Sequence, residues 1–164
     1  MRISWNFGCF AAAGMALALT ACGDAADAPE DTQTPAVAPV ADGPPGITGG
    51  GGYLTLPAVD GNPGAAYFTL SNSGSGTKVV SAAEVLGAER SEMHGEGMVQ
   101  LDEIVLEART DLEFAPGGMH VMVFGVPEDL AAGDETEITL IFANGDKVSI
   151  PLEVRAPGDA PAAE

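Results

Sequence analysis

The sequence predicts an all-β domain, a sandwich or barrel of about 100 residues from near Tyr53 to Val154. Three observations carry this reading. Short β-type runs recur between clusters of Gly, Asn, Asp and Pro, no long stretch has helical periodicity, and a chain of 164 residues accommodates one such core. The runs are Tyr53–Leu56, Ala66–Leu70, Lys78–Val85, Ile104–Glu107, Met119–Val126, Glu137–Phe142 and Lys147–Val154. The clearest pairing sets Ile138, Leu140 and Phe142 against Val148, Ile150, Leu152 and Val154 across Asn144-Gly145. Asn-Gly suits a tight hairpin because both central residues tolerate positive φ. Pro151 cannot donate to a ladder, so its strand is expected at an edge or with a bulge.

The flanks read differently. Phe7 to Ala21 is an apolar run of 15 residues, shorter than the roughly 18 needed to span a bilayer, behind a head whose one charge is Arg2. It ends in Leu19-Thr20-Ala21-Cys22, which resembles the bacterial lipobox, where a Cys accepts lipid on its thiol and becomes the mature N-terminus. The expected organisation is a signal peptide over residues 1–21, a tether over 22–52, the β domain over 53–155 and a frayed tail over 156–164. The tether is rich in Ala, Pro, Gly and Asp and buries too little to offset the entropy of ordering. Lipid on Cys22 is then the membrane attachment, with the domain facing the periplasm.

Charge and cysteine content exclude several classes. With 6 Lys+Arg against 24 Asp+Glu, a formal charge of −18, the chain lacks the cations that nucleic acid or anionic headgroups require. Cys9 leaves with the signal and Cys22 is consumed by lipid, so the domain holds no thiol. That removes disulfides, thiolate nucleophiles, Cys-rich zinc sites and blue-copper centres.

What remains distinctive is sulfur and imidazole. After the signal, every Met and His falls in two short segments, Met93-His94 with Met98, and Met119-His120 with Met122. Thioether and imidazole together suit Cu(I), whereas zinc prefers thiolate, imidazole or carboxylate and magnesium or calcium prefer oxygen. Thioethers also form no disulfides, which suits an oxidising compartment. Residues two apart on a strand share a face, so His120 and Met122 project together, while Met119, Val121 and Val123 project the other way. The Met93 to Met98 segment, with Gly95 and Gly97, reads as a hairpin tip that brings His94 and Met98 over that strand.

These residues resemble the periplasmic copper chaperones called PCuAC. The resemblance covers roughly Ala65 to Val154 and rests on Tyr67-Phe68-Thr69-Leu70-x-Asn72, Glu92-x-His94, Met98, Pro116-Gly117-Gly118-x-His120-x-Met122 and the closing hairpin. The family pattern has a Met, twenty-one residues, then His-x-Met, and that interval separates Met98 from His120 here. It implies a cupredoxin-like, immunoglobulin-like Greek-key β-sandwich that is not an enzyme. It further implies Cu(I) bound by His94, Met98, His120 and Met122, and delivery to an acceptor such as a cytochrome c oxidase subunit or assembly factor. The family usually has ten residues between its first His and the Met, against three here, so Met93 stands as the alternative to His94. Competing readings are copper sequestration and tolerance, a metal-free interaction lipoprotein, and an enzyme built on Ser91, His94 and Asp102.

Overall fold

The computed structural model describes residues 43–159. The signal peptide, Cys22, the tether up to residue 42 and the tail from residue 160 lie outside the described residues. Nine strands follow: β1 (Ile47–Thr55), β2 (Gly64–Asn72), β3 (Lys78–Val85), β4 (Arg90–His94), β5 (Ile104–Leu106), β6 (Thr110–Phe114), β7 (His120–Phe124), β8 (Glu135–Phe142) and β9 (Lys147–Arg155). They hydrogen-bond in the order β4-β7-β2-β1-β9-β8-β3-β5, with β6 also on β2. The sheet curls so that its ends meet. Val85 N–H donates to Ser91 Oγ at 3.3 Å across β3 and β4, and buried Asn72 Nδ2 donates to Glu107 O at 3.0 Å. Its two halves thereby enclose one apolar core, the all-β sandwich that the sequence predicts.

Alternation builds that core. Ile138 pairs with Ile150 and Leu140 with Val148 across β8 and β9, and all four side chains are buried on one face. Across β2 and β6, Phe68 and Phe114 stack at 4.2 Å between ring centroids. The β8–β9 turn departs from expectation. Gly145 has φ of 88° and donates to Phe142 O at 2.8 Å, while Asn144 keeps negative φ and uses its amide on Asp146 instead. The connection is therefore a longer turn with glycine in the left-handed position, not a two-residue one.

Three further expectations are corrected. The domain starts at Ile47 and not at Tyr53, because the glycine run read as tether is strand β1. It lies flat on its neighbour: a Cβ at Gly49 would collide with Ile150, and one at Gly52 would lie 2.5 Å from Leu152 Cδ2 and 2.7 Å from Pro151 O. Glycine here is a close-approach residue. Secondly, β9 is internal, parallel to β1 and antiparallel to β8. The missing N–H of Pro151 is accommodated because the β1 ladder begins one residue later, at Gly52 opposite Leu152, beside the β1 register shift between Gly50 and Tyr53. Thirdly, β4 and β6 are strands absent from the expected set.

β2 gives one edge to two strands in succession. Its end, Phe68–Asn72, pairs with β6, and its start, Gly64–Ala66, pairs with β7. The chain passes from β6 to β7 through Ala115–Met119, closed by Ala115 N–H on Met119 O at 2.8 Å. Gly52→Ala should lower unfolding stability in urea by about 1–3 kcal/mol through overpacking against backbone as well as side chain. Gly50→Ala, where a Cβ meets nothing within 4 Å, should stay within about 0.5 kcal/mol. Equal tolerance at both positions would return the run to tether.

Candidate metal centre

The site is built on the β4–β7 pair. Its register sets Arg90 opposite Phe124, Glu92 opposite Met122, Met93 opposite Val121 and His94 opposite His120. Burial decides which face is which. Met93, Val121 and Val123 point into the core, with Met93 only 4% exposed. The period of two then places Arg90, Glu92, His94, His120, Met122 and Phe124 on the outer face. Met93 is accordingly no alternative ligand: its side chain is on the opposite face from His94, packed in apolar surroundings. Met119 also packs against the core.

On that outer face the loops border an open cavity of about 320 Å³. Tyr67, Met98, His120 and Met122 line it, with Gly95, Gly97, Gly117 and Gly118 at its rim. Met98 arrives there on a tight turn. Gly95 N–H donates to Val99 O at 2.8 Å and Gln100 pairs back onto His94, which folds Glu96–Met98 into a tight turn with Gly97 and Met98 both at positive φ. Met98 has φ of 65° and is 58% exposed, a left-handed position where a non-glycine residue is strained by roughly 1–2 kcal/mol.

Hydrogen bonds orient the imidazoles. His120 Nδ1 lies 2.9 Å from Gly118 O, and since a carbonyl only accepts, Nδ1 carries the proton and Nε2 keeps its lone pair. His94 stacks on His120 at 5.7 Å between centroids. It does not line the cavity: Nδ1 is 3.3 Å from Met98 O and Nε2 is 3.4 Å from Glu92 Oε2. Tyr67 lies 6.3 Å from His120, and burial pushes its phenol above the ordinary range, so it meets the cavity as a neutral hydroxyl. Among the described residues no three His, Cys, Asp or Glu side chains converge as a metal site. A soft cation would need the thioethers. Sulfur from Met98 and Met122 with nitrogen from His120 is the donor set at the cavity, with His94 adjacent.

Of the residues singled out from sequence, Met98, His120 and Met122 are brought together and His94 stands beside them. Ser91 is separated from His94, its Oγ occupied by Val85 N–H on the other face. Sequence reasoning did not assign site roles to Glu92 and Tyr67. For Glu92 the signal was present in the Glu92-x-His94 motif, two residues before His94, though not in the expected strands.

These strands and this cavity define a cupredoxin-like β domain carrying a soft-donor pocket on one outer face. Comparison agrees on the fold. The copper-bound PCuAC domain from PmoF2 superposes with a TM-score of 0.61 at 23% identity, over 68% of this chain and 94% of that one. The solution structure of CuI-DR1885 from Deinococcus radiodurans gives 0.58 at 23% identity, over 70% of this chain and 81% of that one. The chain belongs to the LpqE-like family, described as "Putative lipoprotein LpqE-like", whose model matches residues 47–154. A relative named "Putative lipoprotein Lxx21020", from Leifsonia xyli subsp. xyli (strain CTCB07), is 30% identical over 99 residues, 56% of this chain and 60% of the relative. "Uncharacterized protein RP573" from Rickettsia prowazekii (strain Madrid E) is 30% identical over 98 residues, 55% of this chain and 54% of the relative. The chain thus spans between half and two thirds of the length of both curated relatives.

The opposite placement of two methionines is measurable without metal. Met93→Ala should cost about 2–5 kcal/mol in urea unfolding by opening a core cavity. Met98→Ala, at an exposed turn, should change stability by no more than about 0.5 kcal/mol. A reversed ranking would contradict the faces given above.

Proposed function

We propose that this domain carries Cu(I) as cargo, bound by Met98, His120 and Met122 with His94 as fourth donor, and passes it to an acceptor by ligand exchange. The observation that carries the reading is the cavity itself, where two thioethers and an imidazole with a free Nε2 lie together in a domain that has no thiol. Soft neutral donors favour a monovalent soft ion over zinc, magnesium or calcium. The fold shared with domains described as copper-bound and CuI-loaded supports the same cargo.

Transfer follows from exposure. Met98 sits on a strained, solvent-facing turn, so an incoming thiolate or imidazole can replace it while His120 and Met122, held on β7, retain the ion. The role is binding and hand-over, with no bond of an organic substrate made or broken. The lipobox-like Cys22 and the lipoprotein names of the family and of the Leifsonia relative support attachment to a membrane by lipid, with the domain in the periplasm. A copper acceptor such as a cytochrome c oxidase subunit or its assembly factor fits that location.

Titration with Cu(I) under reductant, competed against a Cu(I) chelator, should show one ion per chain, with sulfur and nitrogen in the X-ray absorption shell. His120→Ala and Met122→Leu should each weaken binding at least about tenfold, near the loss of one ligand contact worth about 1.4 kcal/mol. His94→Ala should weaken it while leaving a three-donor site. Oxygen donors alone, or no binding under reductant, would overturn the assignment.

A further inference from the structure

Both nitrogens of His94 face acceptors, and a neutral imidazole has one proton to give. Nε2 is 3.4 Å from Glu92 Oε2 and Nδ1 is 3.3 Å from Met98 O. Distance does not separate them, but charge does: a bond to an ionised carboxylate is roughly twice as strong as one to a neutral carbonyl. Glu92 is also held in place. Arg90 Nε donates to Glu92 Oε1 at 3.0 Å, and the Arg90 guanidinium lies 4.1 Å over the Phe124 ring. Arg90 thereby occupies one carboxylate oxygen and leaves Oε2 for His94. The four residues form a row on one face because Arg90, Glu92 and His94 alternate along β4 and Phe124 is the cross-strand partner of Arg90.

We infer that Glu92 is a positioning residue that fixes the proton of His94 on Nε2 and leaves Nδ1, on the side of the Met98 turn, as its donor atom for the cation. This rests on the copper reading for the identity of the cation, though not for the tautomer. The two histidines of the site then have opposite tautomers. Gly118 O holds the proton of His120 on Nδ1 and frees Nε2, while Glu92 holds that of His94 on Nε2 and frees Nδ1. Opposite tautomers allow two imidazoles that stack at 5.7 Å to direct lone pairs from different edges of their rings. In this state the Nδ1 lone pair of His94 faces the Met98 carbonyl, an acceptor against an acceptor. A cation arriving at the turn takes up that lone pair and relieves the opposition.

The test uses the full chain in mild detergent, with ¹⁵N-labelled histidine, before and after Ag(I) as a diamagnetic stand-in for Cu(I). Without metal, above the imidazole titration range, His94 should read as the Nε2–H form and His120 as the Nδ1–H form. Glu92→Ala should convert His94 to a mixture or to Nδ1–H and weaken Ag(I) and Cu(I) binding about 10–100-fold. Glu92→Gln, which keeps an acceptor oxygen in place but removes the charge that decides between the two acceptors, should give a mixture of His94 tautomers and an affinity between those of the wild type and Glu92→Ala. In a His94→Ala background, Glu92→Ala should cause no further loss, because its effect runs through that ring. A wild-type His94 in the Nδ1–H form, a Glu92→Ala chain with tautomer and affinity unchanged, or a full additional loss in the double variant would each overturn the inference. If the wild type binds neither ion but shows the stated tautomers, the copper reading fails and the positioning of His94 by Glu92 stands.

Discussion

The insertion of Met93 and Val121 into the core, opposite each other across β4 and β7, is the constraint on which the site depends. Burying side chains of this size is worth about 1.5–3 kcal/mol each, enough to hold a short five-residue strand in one register. Because the side-chain period is two, a slip of one residue would turn Met93 outward and His94 into the apolar interior. Register on the dry side therefore dictates chemistry on the wet side. Glu92 meets Met122, and His94 meets His120, as the far face of a core contact. No polar interaction in the site has to be strong for this to hold.

The remaining donor is placed by different means. His120 and Met122 stand on β7, which is hydrogen-bonded on both edges, to β4 and to β2. Met98 stands on an exposed turn outside the strands, where Gly97 and Met98 both adopt positive φ. The strained residue is also the exposed one. Such a division suits the proposed hand-over: a rigid pair defines where the ion sits, and the exposed donor is the one an incoming ligand can displace. In the proposed exchange an acceptor ligand enters from solvent where Met98 leaves, without disturbing the core contacts behind β7.

Much of the sandwich was legible because alternation is a strong signal where one face is dry, as along Ile138, Leu140 and Phe142. The same rule placed His120 and Met122 on one face and Met119 and Val121 on the other. It missed β6 because Asp111 and Glu113 point outward from a short strand and dilute its apolar content. It missed β1 before Tyr53 for a deeper reason. A glycine run has one composition and two physical uses, flexible linker or close approach, and only the positions of Ile150, Pro151 and Leu152 decide between them. Likewise nothing local says that Met98 O lies beside His94, since that contact depends on how the turn folds back through Gln100.

Charge and softness act at different ranges. The chain carries a formal −18, so its field raises the concentration of any cation nearby without telling one from another. Discrimination must come from the donors at the cavity, and these are uncharged: two thioethers and imidazole, beside the phenol of Tyr67. A hard divalent ion gains little there, because it would exchange water oxygen for sulfur without an anionic ligand in the shell. The carboxylate of Glu92, beside His94, is held by Arg90 and turned toward the ring of His94. With neither Glu92 nor any other carboxylate of the described residues lining the cavity, the proposed site keeps the attraction of an acidic protein for cations and leaves the choice among them to sulfur and imidazole.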